Sequence, residues 1–145
     1  MGRLAGIARR EKKRAPMETL ESAEISAETG VANDSRGKPG KRQVSLLSAA
    51  AWQAACDDTG TDAPWTTRRA NLLIEGLDLP KTAGQIVAIG DVRLRTTVEI
   101  DPCSRMDEQV PGLTDALTPD WRGGIGCEVI AGGVVSVGDE VRILE

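Results

Sequence analysis

The 145-residue sequence predicts a mainly β fold, a closed or nearly closed β-barrel with a few short helices. Three observations carry that expectation. Apolar residues alternate over short runs bounded by Gly, Pro or Asp, the period-2 signature of half-buried strands. Only the stretch beginning at Ser48 has a clear capped helical pattern. Two segments, IVAIGDVRLR at 86–95 and VVSVGDEVRI at 134–143, share one design: an apolar run, a Gly-Asp pair, then alternating aliphatic and charged residues. Each reads as a tight hairpin, and closing such strands into a barrel removes exposed edges.

Taken in order, residues 3–8 form a first strand, and Leu20, Ala23 and Ile25 mark a second extended segment before Gly30. The polar run NDSRGKPGK at 33–41 is a loop by composition, followed by a strand at 42–47. Ser48 caps a helix through Cys56. After TTRRANLLIEGLDLP comes the first hairpin, extended by residues 96–100. Residues 104–117 mix turn and short helix, broken by Pro111 and Gly112. A strand at 125–130 and a turn at Gly132 and Gly133 lead into the second hairpin. The total is five to eight short strands. Two Gly-Asp copies are too few for a repeat architecture, and the length suits one domain over 1–145.

Composition excludes several functions. The chain has no His, Phe or Tyr, and its aromatics are Trp52, Trp65 and Trp121. Without imidazole there is no Ser-His or Cys-His nucleophile pair and no histidine-ligated zinc or haem. Three tryptophans cannot build the stacking rows that single-stranded nucleic acid uses. The formal net charge is −4, which argues against nucleic acid as a partner. No run of apolar residues has signal-peptide or membrane-span length, so the expected location is cytoplasmic, with no membrane partner.

Charge is nevertheless uneven. Residues 1–56 carry ten basic and six acidic side chains, and residues 57–145 carry eight and sixteen. The densest run, RREKKR at 9–14, reads either as a solvated face or as part of an anion site. Arg36, Lys38, Lys41, Arg42, Arg68 and Arg69 lie in polar or turn-adjacent segments, with Gln43 and Asn71 adding neutral donors. Guanidinium forks grip phosphate or carboxylate bidentately, so this set suits a phosphorylated small molecule; scattered surface charge is the plainer alternative. The glycine-rich WRGGIG at 121–126 matches no phosphate-loop pattern and points to a tight turn or close backbone approach.

Three cysteines without CxxC spacing indicate neither a disulfide framework nor a zinc ribbon. Cys56 on the helix and Cys127 in a strand read as core. Cys103, in DPCSRM just after a predicted strand, reads either as a reactive thiolate favoured by Arg105 or as a small apolar filler of a turn. Asp101, Asp107 and Glu108 are carboxylates nearby in sequence that could shuttle protons.

Together, GRLAGIARR, PMETLESAEISAETGV, NDSRGK, RQVSLLS and its helix, TTRRANLLIEGLDLP, IGDVRLR, DPCSRMD, PGLTDAL, WRGGIGCEVIAGG and VGDEV resemble, in order and spacing, the MOSC domain family. The family is named from the carboxy-terminal domain of molybdenum cofactor sulfurase, and the likeness is to its small stand-alone bacterial kind. It covers nearly the whole chain and implies a barrel of the pyruvate-kinase-barrel-like type. It also implies that Cys103 is the functional thiol and ligates molybdenum in a pterin-bound cofactor. Arg36, Arg42, Arg68, Arg69 and Asn71, with Arg122 after them, would then hold the pterin and its phosphate. The implied activity is that of the terminal component of a reductase of N-hydroxylated compounds, acting on a small-molecule substrate with electrons from a separate protein. A sulfur carrier charged at Cys103 by a cysteine desulfurase and a non-catalytic ligand-binding barrel are the alternatives. Pyridoxal phosphate is not expected, since it belongs to the separate desulfurase domain of the full sulfurases. Asn33 stands where the family usually has Gly, and Asn tolerates the left-handed backbone better than most residues. Met106 stands where some relatives have a second cysteine, and the extra domains of larger relatives are absent.

Overall fold

Alternation in sequence becomes alternation in burial: Val92, Leu94 and Thr96 point into the core while Arg95 faces solvent. The computed structural model describes residues 2–12, 16–35, 37–102 and 105–144. Its strands are β1 (Gly2–Arg9), β2 (Glu18–Leu20), β3 (Ser22–Ser26), β4 (Gly30–Val31), β5 (Val44–Ser48), β6 (Leu72–Glu75), β7 (Ile86–Ile89), β8 (Val92–Glu99), β9 (Ile125–Ala131), β10 (Gly133–Ser136) and β11 (Glu140–Leu144). The helices are α1 (Ala49–Thr59), α2 (Arg105–Gln109) and α3 (Leu113–Leu117), with single 3-10 turns at Trp65–Arg68 and Pro119–Trp121.

Seven strands close a barrel in the order β11, β7, β8, β9, β5, β6, β1, with β1 returning to β11 through Gly2 opposite Val141 and Arg3 opposite Glu140. The edge of β1 that β11 leaves is taken by β2, where Ile7 faces Leu20. A smaller sheet of β10, β3 and β4 lies beside it. Neighbouring strands run antiparallel except β5 and β6, whose parallel pairing requires a crossover, supplied by α1. The Ser48 side chain caps α1 by accepting from the Ala51 N–H at 3.2 Å. Gly60, at φ 70°, ends it: its N–H bonds the Asp57 carbonyl and the Thr61 N–H bonds the Cys56 carbonyl, a Schellman closure.

The barrel interior is aliphatic, with Leu4, Ile7, Leu46, Leu72, Ile74, Ile89 and Leu94 fully buried. A second cluster sits outside it, where Trp52, Ala55 and Cys56 of α1 pack on Met106, Leu113 and Leu117. The Trp52 indole N–H donates to the Ala63 carbonyl at 3.1 Å, which satisfies its polar atom within this apolar layer. Cys56 and Cys127 are core residues, as read from sequence.

The first Gly-Asp hairpin is present: Ile89 pairs with Val92 across Gly90 and Asp91, with Gly90 at φ 56°. The second is not a hairpin. β10 pairs with β3 and β11 with β7 and β1, so residues 134–143 cross between two sheets. The turn groups are diverted to β1, the Leu4 N–H bonding the Asp139 carbonyl and the Gly138 N–H bonding the Leu4 carbonyl, both at 2.8 Å. The strand expected from residue 42 begins at Val44, and short strands outnumber the five to eight expected.

Candidate functional site: an arginine-lined cleft

Where β1 leaves the barrel, it meets the loop after β4. Asn33 adopts φ 65°, as anticipated for the residue replacing glycine, and turns the chain so that the Asp34 N–H bonds the Val31 carbonyl. The Asp34 carboxylate then accepts from the Arg10 backbone N–H at 3.1 Å through Oδ1 and from Asn71 Nδ2 at 3.2 Å through Oδ2. The Ser35 N–H bonds the Arg10 carbonyl at 2.8 Å, so the loop is pinned to the end of β1. Gln43, 2% exposed, secures the loop from below: Nε2 donates to the Ala27 and Gly37 carbonyls and Oε1 accepts from the Val129 N–H. Its amide therefore serves structure, and does not supply the ligand donor suggested by its position in sequence.

Asn71, 5% exposed, is a knot between strands. Its Oδ1 accepts from the Ser45 N–H at 3.0 Å and from Ser45 Oγ at 3.3 Å. Its Nδ2 donates to the Ala8 carbonyl and to Asp34, both at 3.2 Å. Two donors and two acceptor lone pairs exhaust what an amide has, so Asn71 builds the cleft wall.

Arg68 and Arg69, adjacent in sequence, separate at the end of the 3-10 turn because Arg69 takes a left-handed φ of 63°. Arg68 is buried at 7% exposure, with Nε donating to the Gly123 carbonyl at 3.0 Å and Nη2 to the Ile100 carbonyl at 2.8 Å. Glycine is required beside it: a Cβ at Gly123 would stand 2.4 Å from the Ile100 carbonyl oxygen. A Cβ at Gly124, at φ 108°, would stand 2.5 Å from the Leu46 carbonyl oxygen. The close backbone approach read from WRGGIG is thus the role of these glycines.

These elements form a cleft lined by Arg10, Arg42, Arg68, Arg69, Asn71 and Asp34 among others. Among the described lining residues four are arginines and one, Asp34, is a carboxylate, a balance of charge suited to an anion. Four of the six residues expected to hold a cofactor, Arg42, Arg68, Arg69 and Asn71, are brought together here. Arg122 is not among them. Its Nη1 reaches Asp58 at 2.7 Å and the Ala116 carbonyl at 3.0 Å, and it lines a second cleft beyond the Gly123–Gly124 turn. Arg36 and Cys103 lie outside the described residues.

Arg10 is the residue that sequence reasoning missed. It was grouped with the 9–14 charge run, yet it is 5% exposed and lines the cleft. Simple alternation does not announce it, because a bulge between Leu4 and Gly6 switches the faces of β1: Leu4 and Ile7 enter the barrel core, and Gly6 lies against Trp65.

Burial holds both described thiols neutral. Cys127 is pushed up to about 12 by desolvation. Cys56 is raised first by desolvation and then by Asp57 and Asp62. Glu99, beside the cleft residue Ile100, is raised by desolvation, then by the charge of Asp101 and a hydrogen bond with it. Among the described residues no group of three or more His, Cys, Asp or Glu side chains could hold a metal ion, and no helix is long and apolar enough to cross a membrane.

A family model described as the MOSC domain matches residues 33–142. The YuaD protein from Bacillus subtilis is similar in structure at a TM-score of 0.82 and 19% identity, covering 99% of this chain and 96% of that one. YiiM from Geobacillus stearothermophilus gives 0.79 at 15% identity, over 100% of this chain and 76% of that one. YiiM from Escherichia coli gives 0.71 at 16% identity, over 99% and 70%. At these identities the likeness carries the fold. The search of curated proteins found no match.

Proposed function

The chain belongs to the MOSC domain family, which is associated with molybdenum-cofactor binding, and from that premise we propose that the arginine-lined cleft holds the pterin and phosphate of such a cofactor while Cys103 ligates the molybdenum. The observation that carries the reading is that Arg10, Arg42, Arg68 and Arg69 line one cleft, with Asp34 the carboxylate among the described lining residues. The residues fit the group. Arg42 and Arg69 offer planar forks for phosphate, Asp34 offers an acceptor for ring N–H groups, and Asn71 and Arg68 hold the wall at fixed depth. A thiolate is a suitable soft ligand for the metal. Bound there, the cofactor supplies two-electron redox chemistry. The chain binds it, orients it and narrows water's access, as the terminal component of a reductase of N-hydroxylated small molecules fed by a separate electron-donor protein.

Metal analysis of protein expressed in a cofactor-competent host tests this directly. Molybdenum is expected in the native chain and is expected to be lost in Cys103→Ala and reduced in Arg69→Met. Native protein without molybdenum would sink the reading. Sulfur added at Cys103 by a cysteine desulfurase, seen by mass spectrometry, would then favour a sulfur carrier.

A further inference from the structure

The chain has three aromatic side chains, all tryptophan, and two of them line one groove formed by α1, residues 62–65 and β6. Trp52, Cys56, Asp62, Ala63, Trp65 and Leu73 are among its lining residues. Both indoles are held in place. The Trp52 indole N–H donates to the Ala63 carbonyl at 3.1 Å, and Trp65 packs so closely on β1 that a Cβ at Gly6 would stand 2.8 Å from its Cζ2. Charge at the groove has one sign. Asp62 is the charged side chain among the described lining residues, and Asp57 is near enough to act with it on the Cys56 thiol. The last turn of α1 holds no basic residue, although a cation is what that end of a helix favours. Asp58 is paired with Arg122, but neither Asp57 nor Asp62 forms an ion pair among the described residues. We propose that this groove binds a small quaternary ammonium compound, its methylated head against the Trp52 and Trp65 rings and beside Asp62.

Three features select this class of ligand. Among the described residues no group of three or more His, Cys, Asp or Glu side chains could hold a metal ion, so the negative charge here suits a diffuse organic cation, which indole faces attract. Acceptors for N–H donors are few, because the Ala63 carbonyl already serves Trp52 and lies 3.9 Å from Cys56 Sγ, and Asp57 accepts from Gln53 Nε2 at 2.9 Å. A quaternary head has no N–H to satisfy, whereas a guanidinium brings five. The large apolar residues exposed among the described ones are Ile130, Val134 and Val137, none of them on α1 or within 61–65. The groove therefore lacks the flanking apolar surface that would seat a polypeptide, and a small molecule is its fitting occupant.

The test titrates choline chloride into the full chain, labelled with nitrogen-15, at constant ionic strength, and follows the three indole N–H resonances by NMR. Those of Trp52 and Trp65 should shift saturably, with a dissociation constant on the order of millimolar, while that of Trp121, which lines a different cleft, should stay in place. Dimethylbutanol, the uncharged carbon isostere of choline, should bind at least about threefold more weakly. Asp62→Asn should weaken choline binding about threefold and Trp65→Leu about fivefold. Absence of a saturable shift, equal binding of the isostere, or wild-type affinity in Asp62→Asn would overturn the proposal. Should Trp65→Leu fail to fold, Asp62→Asn decides alone, because Asp62 is exposed. A trimethyllysine peptide that binds more than about tenfold tighter than choline would overturn the assignment of the groove to a free small molecule.

Discussion

Replacing Asn71 by alanine removes four hydrogen bonds at a point where β1, β5, β6 and the Asp34 loop meet. The Ser45 hydroxyl keeps the Asn71 backbone N–H, so the losses fall on the Ser45 N–H, the Ala8 carbonyl and Asp34. A net hydrogen bond contributes about 1 kcal/mol, and a buried group left without a partner costs about 1–3 kcal/mol. With Asp34 free to turn toward water, the expected loss is about 3–4 kcal/mol. For a chain of this size, that corresponds to a fall in Tm of roughly 10 °C. Urea unfolding followed by far-UV circular dichroism measures it, with the m-value unchanged if only the native state is affected. Ser45→Ala in the same cycle should couple to Asn71→Ala by at least about 0.5 kcal/mol, because the two side chains share a bond. A loss below about 1 kcal/mol for Asn71→Ala, or strict additivity with Ser45→Ala, would refute the view of Asn71 as a knot.

Other expectations follow from the same geometry. Gly124→Ala should prevent folding or cost more than about 3 kcal/mol, since it collides with the Leu46 carbonyl at a left-handed φ, whereas Gly90→Ala, with open space around it, should cost only the backbone strain of about 1–2 kcal/mol; thermal melts of the pair decide. Cys127 should resist alkylation in the native protein up to about pH 10, read by mass spectrometry. Its folded-state value lies above the unfolded one, so the stability it contributes is whole below about pH 8.5 and is lost as pH rises toward about 12. Cys127→Ala should remove that part of the alkaline slope. Glu99→Gln relieves desolvation and repulsion by Asp101, so it should raise Tm at pH 7, and the gain should vanish below about pH 4, where wild-type Glu99 is protonated anyway.

The barrel was legible because a period of two survives in short windows, and Ser48 and Gly90 announce their turns within a few residues. Partner choice was not. The Gly-Asp turn at 138–139 looks like the one at 90–91, but its carbonyl and N–H are claimed by Leu4, a residue at the other end of the chain. The cleft shows the same limit. Arg68 and Arg69 are the same residue type side by side, and only the left-handed backbone of Arg69 sends one guanidinium into the wall and leaves the other lining the cleft. Arg10 is obscured by its charged neighbours and by the bulge between Leu4 and Gly6, which breaks the alternation of β1 before reaching it. Arg122 looked equivalent to the other arginines until Asp58 and the Ala116 carbonyl claimed it.

The seam between β1 and β11 has a consequence for how the protein is made on the ribosome. β1 is synthesised before nearly everything it binds: β6 emerges at mid-chain and β11 last. Only β2, which pairs Ile7 with Leu20, is within early reach; β6 covers one edge of residues 3–7 at mid-chain, and the other edge at Gly2 and Arg3 waits for β11. Closure is therefore the most non-local event in the fold, and contacts of such separation slow folding to milliseconds or longer. Until the last strand arrives, a free strand edge remains available to other chains in the crowded cell.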